Sequence, residues 1–304
     1  MKLNNSFTFL FPGQGSQFKG MGKNMLESYS AISNNYYSHA EEILGFDILK
    51  ISLEDPFDNL NQTNFTQPAI FINSIVKNKI LKLNSYIPNA VAGHSLGEYS
   101  ALVSSEVLSF KDALKIIKVR GSEMQKAGED NNGGMLAILD ATKKQINHLC
   151  NTTEILVVAN YNSSEQIVLS GSNQSIKETI ERCKKMGLRK VIPLKTSGAF
   201  HSPLMKNARN SLTKVIKSVE FKDAKIPIYQ NTHPYPEKKA KNIKENLLKQ
   251  LENPVHWNEI IINMKKNNLN NFIEVGPGNV LVKLNKKILA KSNTVNFNTI
   301  ESEL

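Results

Sequence analysis

Residues 93 to 97 read Gly-His-Ser-Leu-Gly, directly after the apolar run Ala90-Val91-Ala92 and ahead of a helix-like stretch from Leu96 to Val103. A strand that turns sharply into a helix, with small residues flanking the turn and a serine at its tip, is the arrangement of a nucleophile elbow. It commits this part of the chain to an α/β arrangement. A Gly-x-Ser-x-Gly match alone recurs by chance, and many serines merely cap helices. The strand before and the helix after favour the elbow, with the Ser95 hydroxyl lifted out of the turn. The backbone amide of Leu96 then sits at a helix N-terminus, where it can donate to an oxyanion.

A serine hydroxyl needs a base. The chain has six histidines. His94 adjoins Ser95, and neighbours at a turn point apart, so it is a poor base. His39 and His148 lie in polar, helix-like stretches and read as solvated. His201 follows a strand-like run (Val191 to Leu194) and a loop, and precedes Ser202-Pro203, which reads as a helix start with Ser202 as cap and Pro203 at the first position. A histidine there feels the positive end of the helix dipole, which disfavours its cation and keeps the ring basic. The alternative is that His201 only packs or caps.

Near the start, Phe7 to Phe11 reads as a buried strand followed by the turn Pro12-Gly13-Gln14-Gly15-Ser16-Gln17. Phe18 stands where a dinucleotide fingerprint would need a third glycine, and no Gly-Lys-Ser/Thr comes after it to make a phosphate loop. The glycines instead let backbone amides approach a ligand closely. An elbow needs a second oxyanion donor from a separate loop, and the Gln14 amide is placed to be it.

Alternating strand and helix signals predict an α/β fold with a largely parallel sheet. Pro68 to Lys82 reads as a helix with Ile72, Ile75, Val76 and Ile80 on its apolar face, and Ser109 caps another that runs toward Arg120. Between Gly128 and Ser197 the order changes to a split βαββαβ unit, a ferredoxin-like subdomain inserted into the larger one. Its boundaries are placed at 128–197, leaving 1–127 and 198–304 for the large catalytic domain. Gly128, the Asn131-Asn132-Gly133-Gly134 entrance and Gly198 at the exit read as hinges. The site is expected in the cleft between the two.

With 304 residues and 40% hydrophobic content, the chain can bury a substantial core. The apolar run Phe7 to Phe11 is too short for a signal-peptide core or a membrane span, so a cytoplasmic protein is expected, with an organellar form after transit-peptide removal as the alternative. Cys150 and Cys183 lie far apart without a Cys-x-x-Cys, which predicts neither a zinc site nor a redox pair. The net charge of +11 invites a nucleic-acid reading, but the lysines are scattered and lack interleaved aromatics, so a background Lys/Asn bias is preferred and no nucleic acid is expected. One subset, Lys184, Lys185, Arg189, Lys190 and Lys195, clusters on the arm leading to His201.

Seven motifs occur in an order that resembles the malonyl-CoA:acyl carrier protein transacylase family. They are Phe-Pro-Gly-Gln-Gly-Ser-Gln (11–17), Thr-Gln-Pro-Ala (66–69), Gly-His-Ser-Leu-Gly-Glu (93–98), Ala-Asn-Tyr-Asn-Ser (159–163), Gly-Ala-Phe-His (198–201), Asn-Pro-Val-His-Trp (253–257) and Glu-Val-Gly-Pro-Gly (274–278). The resemblance runs from about Phe9 to about Leu284. It implies an α/β-hydrolase-like large domain with an inserted ferredoxin-like subdomain, acting as a malonyltransferase in fatty-acid synthesis. Ser95 would be the acylated nucleophile and His201 the general base, with the amides of Gln14 and Leu96 as the oxyanion hole.

The resemblance also implies that Arg120 clamps the malonyl carboxylate and that the backbone carbonyl of Gln250 orients the histidine, giving a dyad with a neutral orienter. Asn160, Asn162, Phe200, His94 and Met124 join Arg120 and Gln250 as substrate-binding residues. A guanidinium fork pairs bidentately with a carboxylate, which suits Arg120 to that role. The bland alternative is a surface arginine paired with Glu123. No metal or cofactor is implied, because coenzyme A arrives as part of the substrate. Expected partners are malonyl-CoA and an acidic acyl carrier protein, which the basic arm would meet; the chain is expected to be a monomer.

Three rivals remain from the residues. A thioesterase or other serine hydrolase shares the elbow but ordinarily shows an acidic triad member. An acyltransferase of different selectivity, as in polyketide-type synthesis, is closer. Phe200 beside His201 argues for an unbranched acyl group and Arg120 against acetyl. A non-catalytic carrier-binding module fits poorly with intact Ser95, His201 and Arg120.

Overall fold

The computed structural model describes residues 7–290 and 292–302. β1 (Phe7–Phe11) and β2 (Pro88–Gly93) pair in parallel, ending at Phe11 opposite Gly93. β3 (Gly133–Leu139), β4 (Leu156–Ser163), β5 (Gln166–Ser172) and β6 (Val191–Pro193) make a separate antiparallel sheet in the order β4-β5-β3-β6. β7 (Ile228–Gln230), β8 (His233–Glu237), β9 (Asn271–Glu274) and β10 (Asn293–Asn296) return to the first sheet, whose order is β10-β9-β1-β2-β7-β8. Within it every pairing is parallel except β7 with β8.

β1 and β2 are central strands covered on both faces, which is why they read as unbroken apolar runs rather than alternating ones. Side chains still alternate between two cores: Phe9, Phe11 and Val91 enter the larger, while Leu10, Ala90 and Ala92 pack around Trp257 in the other. Each large apolar side chain so buried contributes about 1.5–3 kcal/mol. The small sheet divides its faces in the same way. Leu136 and Ile138 of β3 pack with Ile146, Leu149 and Ile176 from its own two helices. Met135 and Ala137 face the opposite way, into the large core. The small sheet therefore packs against the large core with an apolar face of its own. Cys150 is half-buried and Cys183 buried; both are free thiols in this small core.

Two expectations need correction. The helix expected from Pro68 begins at Thr63 and runs to Leu83. Pro68 forfeits one backbone bond, but the turn before it is held by Thr66 Oγ1 donating to Gln62 O at 2.9 Å, so the helix starts ahead of the proline. It is also buried on its polar side, with Asn73, Ser74, Lys77 and Asn78 all covered, because other helices pack around it. Gly128 is no hinge. It lies inside the helix Phe110–Asp130, and a Cβ there would sit 1.9 Å from Ser197 O, while one on Gly198 would sit 2.7 Å from Gly128 Cα. The two glycines let entrance and exit of the insert cross in direct contact. Among the described residues no helix is long and apolar enough to cross a membrane.

Candidate active site

Ser95 occupies the turn between β2 and the helix Gly97–Ser104 with φ +51°, a left-handed conformation rare for a side chain with a Cβ. The turn is tight because its glycines allow backbone contact: a Cβ on Gly97 would lie 2.0 Å from Phe11 O. Asn231, just after β7, holds the strained turn. Its Oδ1 accepts from Ser95 N at 2.7 Å and its Nδ2 donates to Gly93 O at 2.6 Å. Glu98, 1% exposed, fixes Asn231 in turn by accepting from its N–H at 2.8 Å and from Gln230 Nε2 at 3.0 Å. Burial pushes the Glu98 carboxyl above the ordinary carboxylate range.

His201 reaches Ser95 across 106 residues of sequence, with Nε2 2.8 Å from Ser95 Oγ. Its other ring nitrogen, Nδ1, faces the carbonyls of Gln250 at 3.0 Å and Asn253 at 3.1 Å. Carbonyls only accept, so the ring proton resides on Nδ1 and Nε2 is left to accept the serine proton. The histidine pKa falls to about 3, first through burial and then through the nearby Arg120 cation. That differs from the helix-dipole cause expected from sequence. Ser202 does cap, accepting from Leu204 N at 3.3 Å, but it caps only the three-residue 3-10 turn Pro203–Met205. Too few peptide dipoles align there to dominate, and desolvation does. His201 itself has φ +57°.

Arg120 is 1% exposed and makes no ion pair with an acidic side chain among the described residues, Glu123 included. Nη1 donates to Gln67 Oε1 at 2.8 Å; Nη2 donates to Ser95 Oγ at 3.0 Å and Gln250 Oε1 at 3.2 Å; Nε has no hydrogen-bond partner among the described residues. The guanidinium lies 5.4 Å from the centre of the Tyr99 ring. Its hydrogen-bond partners are all uncharged and the buried Glu98 carboxyl acts on it only through space, so the guanidinium keeps the capacity to pair with a carboxylate brought in by a ligand.

These groups open into a cavity of about 360 Å³ lined from both sheets. Gln14, Leu96 and Met124 line its large-domain side, and the N–H groups of Gln14 and Leu96 have no acceptor among the described residues. Asn160 and Asn162 line the opposite wall, brought to one side of β4 by their two-residue spacing. Phe200 also lines the cavity, as does His94, whose Nε2 is 2.8 Å from Asn162 Oδ1. Gln250 lies behind the cavity rather than in its lining: besides orienting His201, it donates from Nε2 to Ser95 O at 2.9 Å.

Three supporting residues escape sequence reasoning. Gln67 and Glu98 stand inside the quoted motifs without a role, and Asn231 stands outside them. A glutamate five residues after β2, the one charged residue of the helix Gly97–Ser104, was the available signal for Glu98.

The chain matches the acyl transferase domain family over residues 8–301. It is 37% identical over 295 residues to the malonyl CoA-acyl carrier protein transacylase of Bacillus subtilis (strain 168), covering 96% of this chain and 93% of that protein. A Vibrio cholerae acyl carrier protein S-malonyltransferase structure superposes with TM-score 0.91 at 35% identity, covering 96% of each chain. A malonyl-transacylase in complex with its type II PKS acyl-carrier protein superposes with TM-score 0.92 at 32% identity over 96% of each chain. The chain belongs to the acyl transferase domain family and, within it, to the malonyl-CoA:acyl carrier protein transacylases.

Proposed function

We propose that this enzyme moves a malonyl group from malonyl-CoA to the phosphopantetheine thiol of an acyl carrier protein, supplying fatty-acid synthesis through a malonyl-Ser95 intermediate. The observation that carries the reading is Ser95 Oγ held between a neutral imidazole at 2.8 Å and, at 3.0 Å, a buried guanidinium that makes no ion pair among the described residues. In the first half-reaction His201 Nε2 takes the Ser95 proton, Oγ attacks the thioester carbonyl, and the amides of Gln14 and Leu96 donate to the oxyanion. The C–S bond then breaks and the coenzyme A sulfur leaves with the proton from Nε2. In the second, the carrier thiol gives its proton to Nε2, attacks the ester carbonyl, and Ser95 recovers the proton as it leaves. Arg120 pairs with the malonyl carboxylate throughout. The chemistry calls for neither metal nor redox cofactor, and we take the working unit to be a cytoplasmic monomer.

Intact-mass measurement tests this. After mixing with malonyl-CoA the protein should gain one malonyl group, stable until holo acyl carrier protein is added and then transferred to it. An adduct that decays to free malonate without a carrier would make the chain a hydrolase, and absence of an adduct would overturn the reading.

The basic arm is proposed to steer the carrier. Lys184 and Lys190 are paired with Glu181 and Asp140, whereas Lys185 and Arg189 are exposed and make no ion pair among the described residues, and Lys195 lines the cavity. Reversing the charges of Lys185 and Arg189 should raise KM for the carrier and flatten its salt dependence, with acylation by malonyl-CoA affected less. Unchanged carrier kinetics would return these residues to background composition.

A further inference from the structure

Thr63 opens the helix Thr63–Leu83 and is completely buried. Gln67, four residues on and so on the same helix face, holds Arg120. Thr63 itself meets three separate segments. Its Oγ1 accepts from Gln14 Nε2 at 3.3 Å and lies 2.8 Å from Ser197 Oγ. Its backbone N–H donates to Gln125 Oε1 at 3.0 Å. Gln14 carries one proposed oxyanion amide. Ser197 stands four residues before His201 in the loop that delivers it. Gln125 comes directly after Met124 on the Arg120 helix, so the first N–H of one helix is capped by a side chain of the other, where Gln62 offers no side-chain cap. Gly121 permits the approach, because a Cβ there would lie 3.0 Å from Asn64 Cα.

We propose that Thr63 is a positioning residue for acyl transfer: its hydroxyl ties the Gln14 loop to the segment carrying His201 and so sets the oxyanion donor relative to the base. The proposal rests on the acyl-transfer reading of the site. A hydroxyl has one proton and two lone pairs, so Thr63 can accept from Gln14 while donating to Ser197, which no apolar residue of the same shape can do. The distance matters because an oxyanion donor acts only within about 2.7–3.1 Å of the developing charge. Thr63 touches no reacting atom; it acts through Gln14 and through Ser197.

The test is the single-turnover rate of Ser95 acylation, followed by intact mass, in Thr63→Val, Thr63→Ser, Ser197→Ala and the double variant Thr63→Val/Ser197→Ala. Thr63→Val keeps the shape and loses both hydroxyl bonds, so the rate should fall about tenfold. The same factor is expected with acetyl-CoA as donor, since both donors develop the same oxyanion, and the half-saturating donor concentration should hardly move. Thr63→Ser should restore the rate, and the double variant should be no slower than Thr63→Val. A folded Thr63→Val that acylates at the wild-type rate would overturn the proposal while leaving the acyl-transfer reading intact. So would a loss confined to the half-saturating concentration, or failure of Thr63→Ser to restore the rate. Should Thr63→Val not fold, Ser197→Ala decides: a rate loss shared by both donors supports the tie, and a wild-type rate overturns it. A wild-type protein that takes up no malonyl group overturns the underlying reading and this proposal together.

Discussion

Ser95→Ala is expected to gain no malonyl mass, and His201→Ala to lose on the order of 10² to 10⁴ of the acylation rate while keeping its fold, the range a positioned base supplies. The basis is the 2.8 Å contact between Ser95 Oγ and His201 Nε2. The ring proton is held on Nδ1 by two carbonyls, so Nε2 presents a lone pair to the serine. An adduct retained in Ser95→Ala would move the nucleophile elsewhere, and near-normal activity in His201→Ala would remove it as the base.

The same histidine makes a pH statement. Its folded pKa of about 3 lies below the ordinary 6.5, so the base stays neutral and the acylation rate of wild type should not fall as pH drops through 6.5. A rate titrating near 6.5 would show the ring to be less buried than the geometry has it. Stability has the opposite sensitivity. The unfolded chain gains a proton through pH 6.5 that the folded chain refuses, so the histidine's contribution is fully present above 6.5 and is lost as pH falls toward 3. Melting curves of His201→Ala should therefore decline less steeply than those of wild type across that window.

Arg120→Ala should lose on the order of 30-fold or more in kcat/KM for malonyl-CoA, because a carboxylate brought into the buried site without its cation costs roughly 2 to 5 kcal/mol. Acetyl-CoA carries no carboxylate and leaves the guanidinium unpaired in wild type, so its transfer by the variant should escape this carboxylate-specific loss. Nη2 also donates to Ser95 Oγ, and loss of that bond weighs on both donors alike. The malonyl-to-acetyl ratio cancels the shared part and is the quantity to measure. An equal fall for both donors would make Arg120 a support of the nucleophile only. Removing this cation also removes the largest charge effect that depresses His201, so the variant's acylation should begin to fail at a higher pH than that of wild type.

Much of this was legible in the chain itself because turn chemistry and side-chain periodicity are local. Gly93, Ser95 and Gly97 between an apolar run and a helix specify a strained turn wherever they occur, and Ser109 and Thr142 cap their helices through residues three positions away. The buried strands β1 and β2 and the change of order after Gly128 rest on such short-range signals, whereas the neighbours of His201 left base and cap open and the family resemblance made it the partner of Ser95. The start of the helix at Thr63 did not, because its first N–H is satisfied by Gln125 from another helix, 62 residues away. Nor did the close contact of Gly128 with Gly198, which glycine content alone reads as flexibility. The neutral state of His201 depends on what surrounds the ring: burial and the Arg120 cation outweigh the short turn after it. Asn231, 136 residues from Ser95, became visible as its support only once β7 lay beside β2. The sequence alone determined the turn that presents the Ser95 hydroxyl, since local backbone geometry encodes it. Tertiary structure alone decided their protonation, tautomer and spacing, since desolvation and through-space charge depend on neighbours far away in the chain.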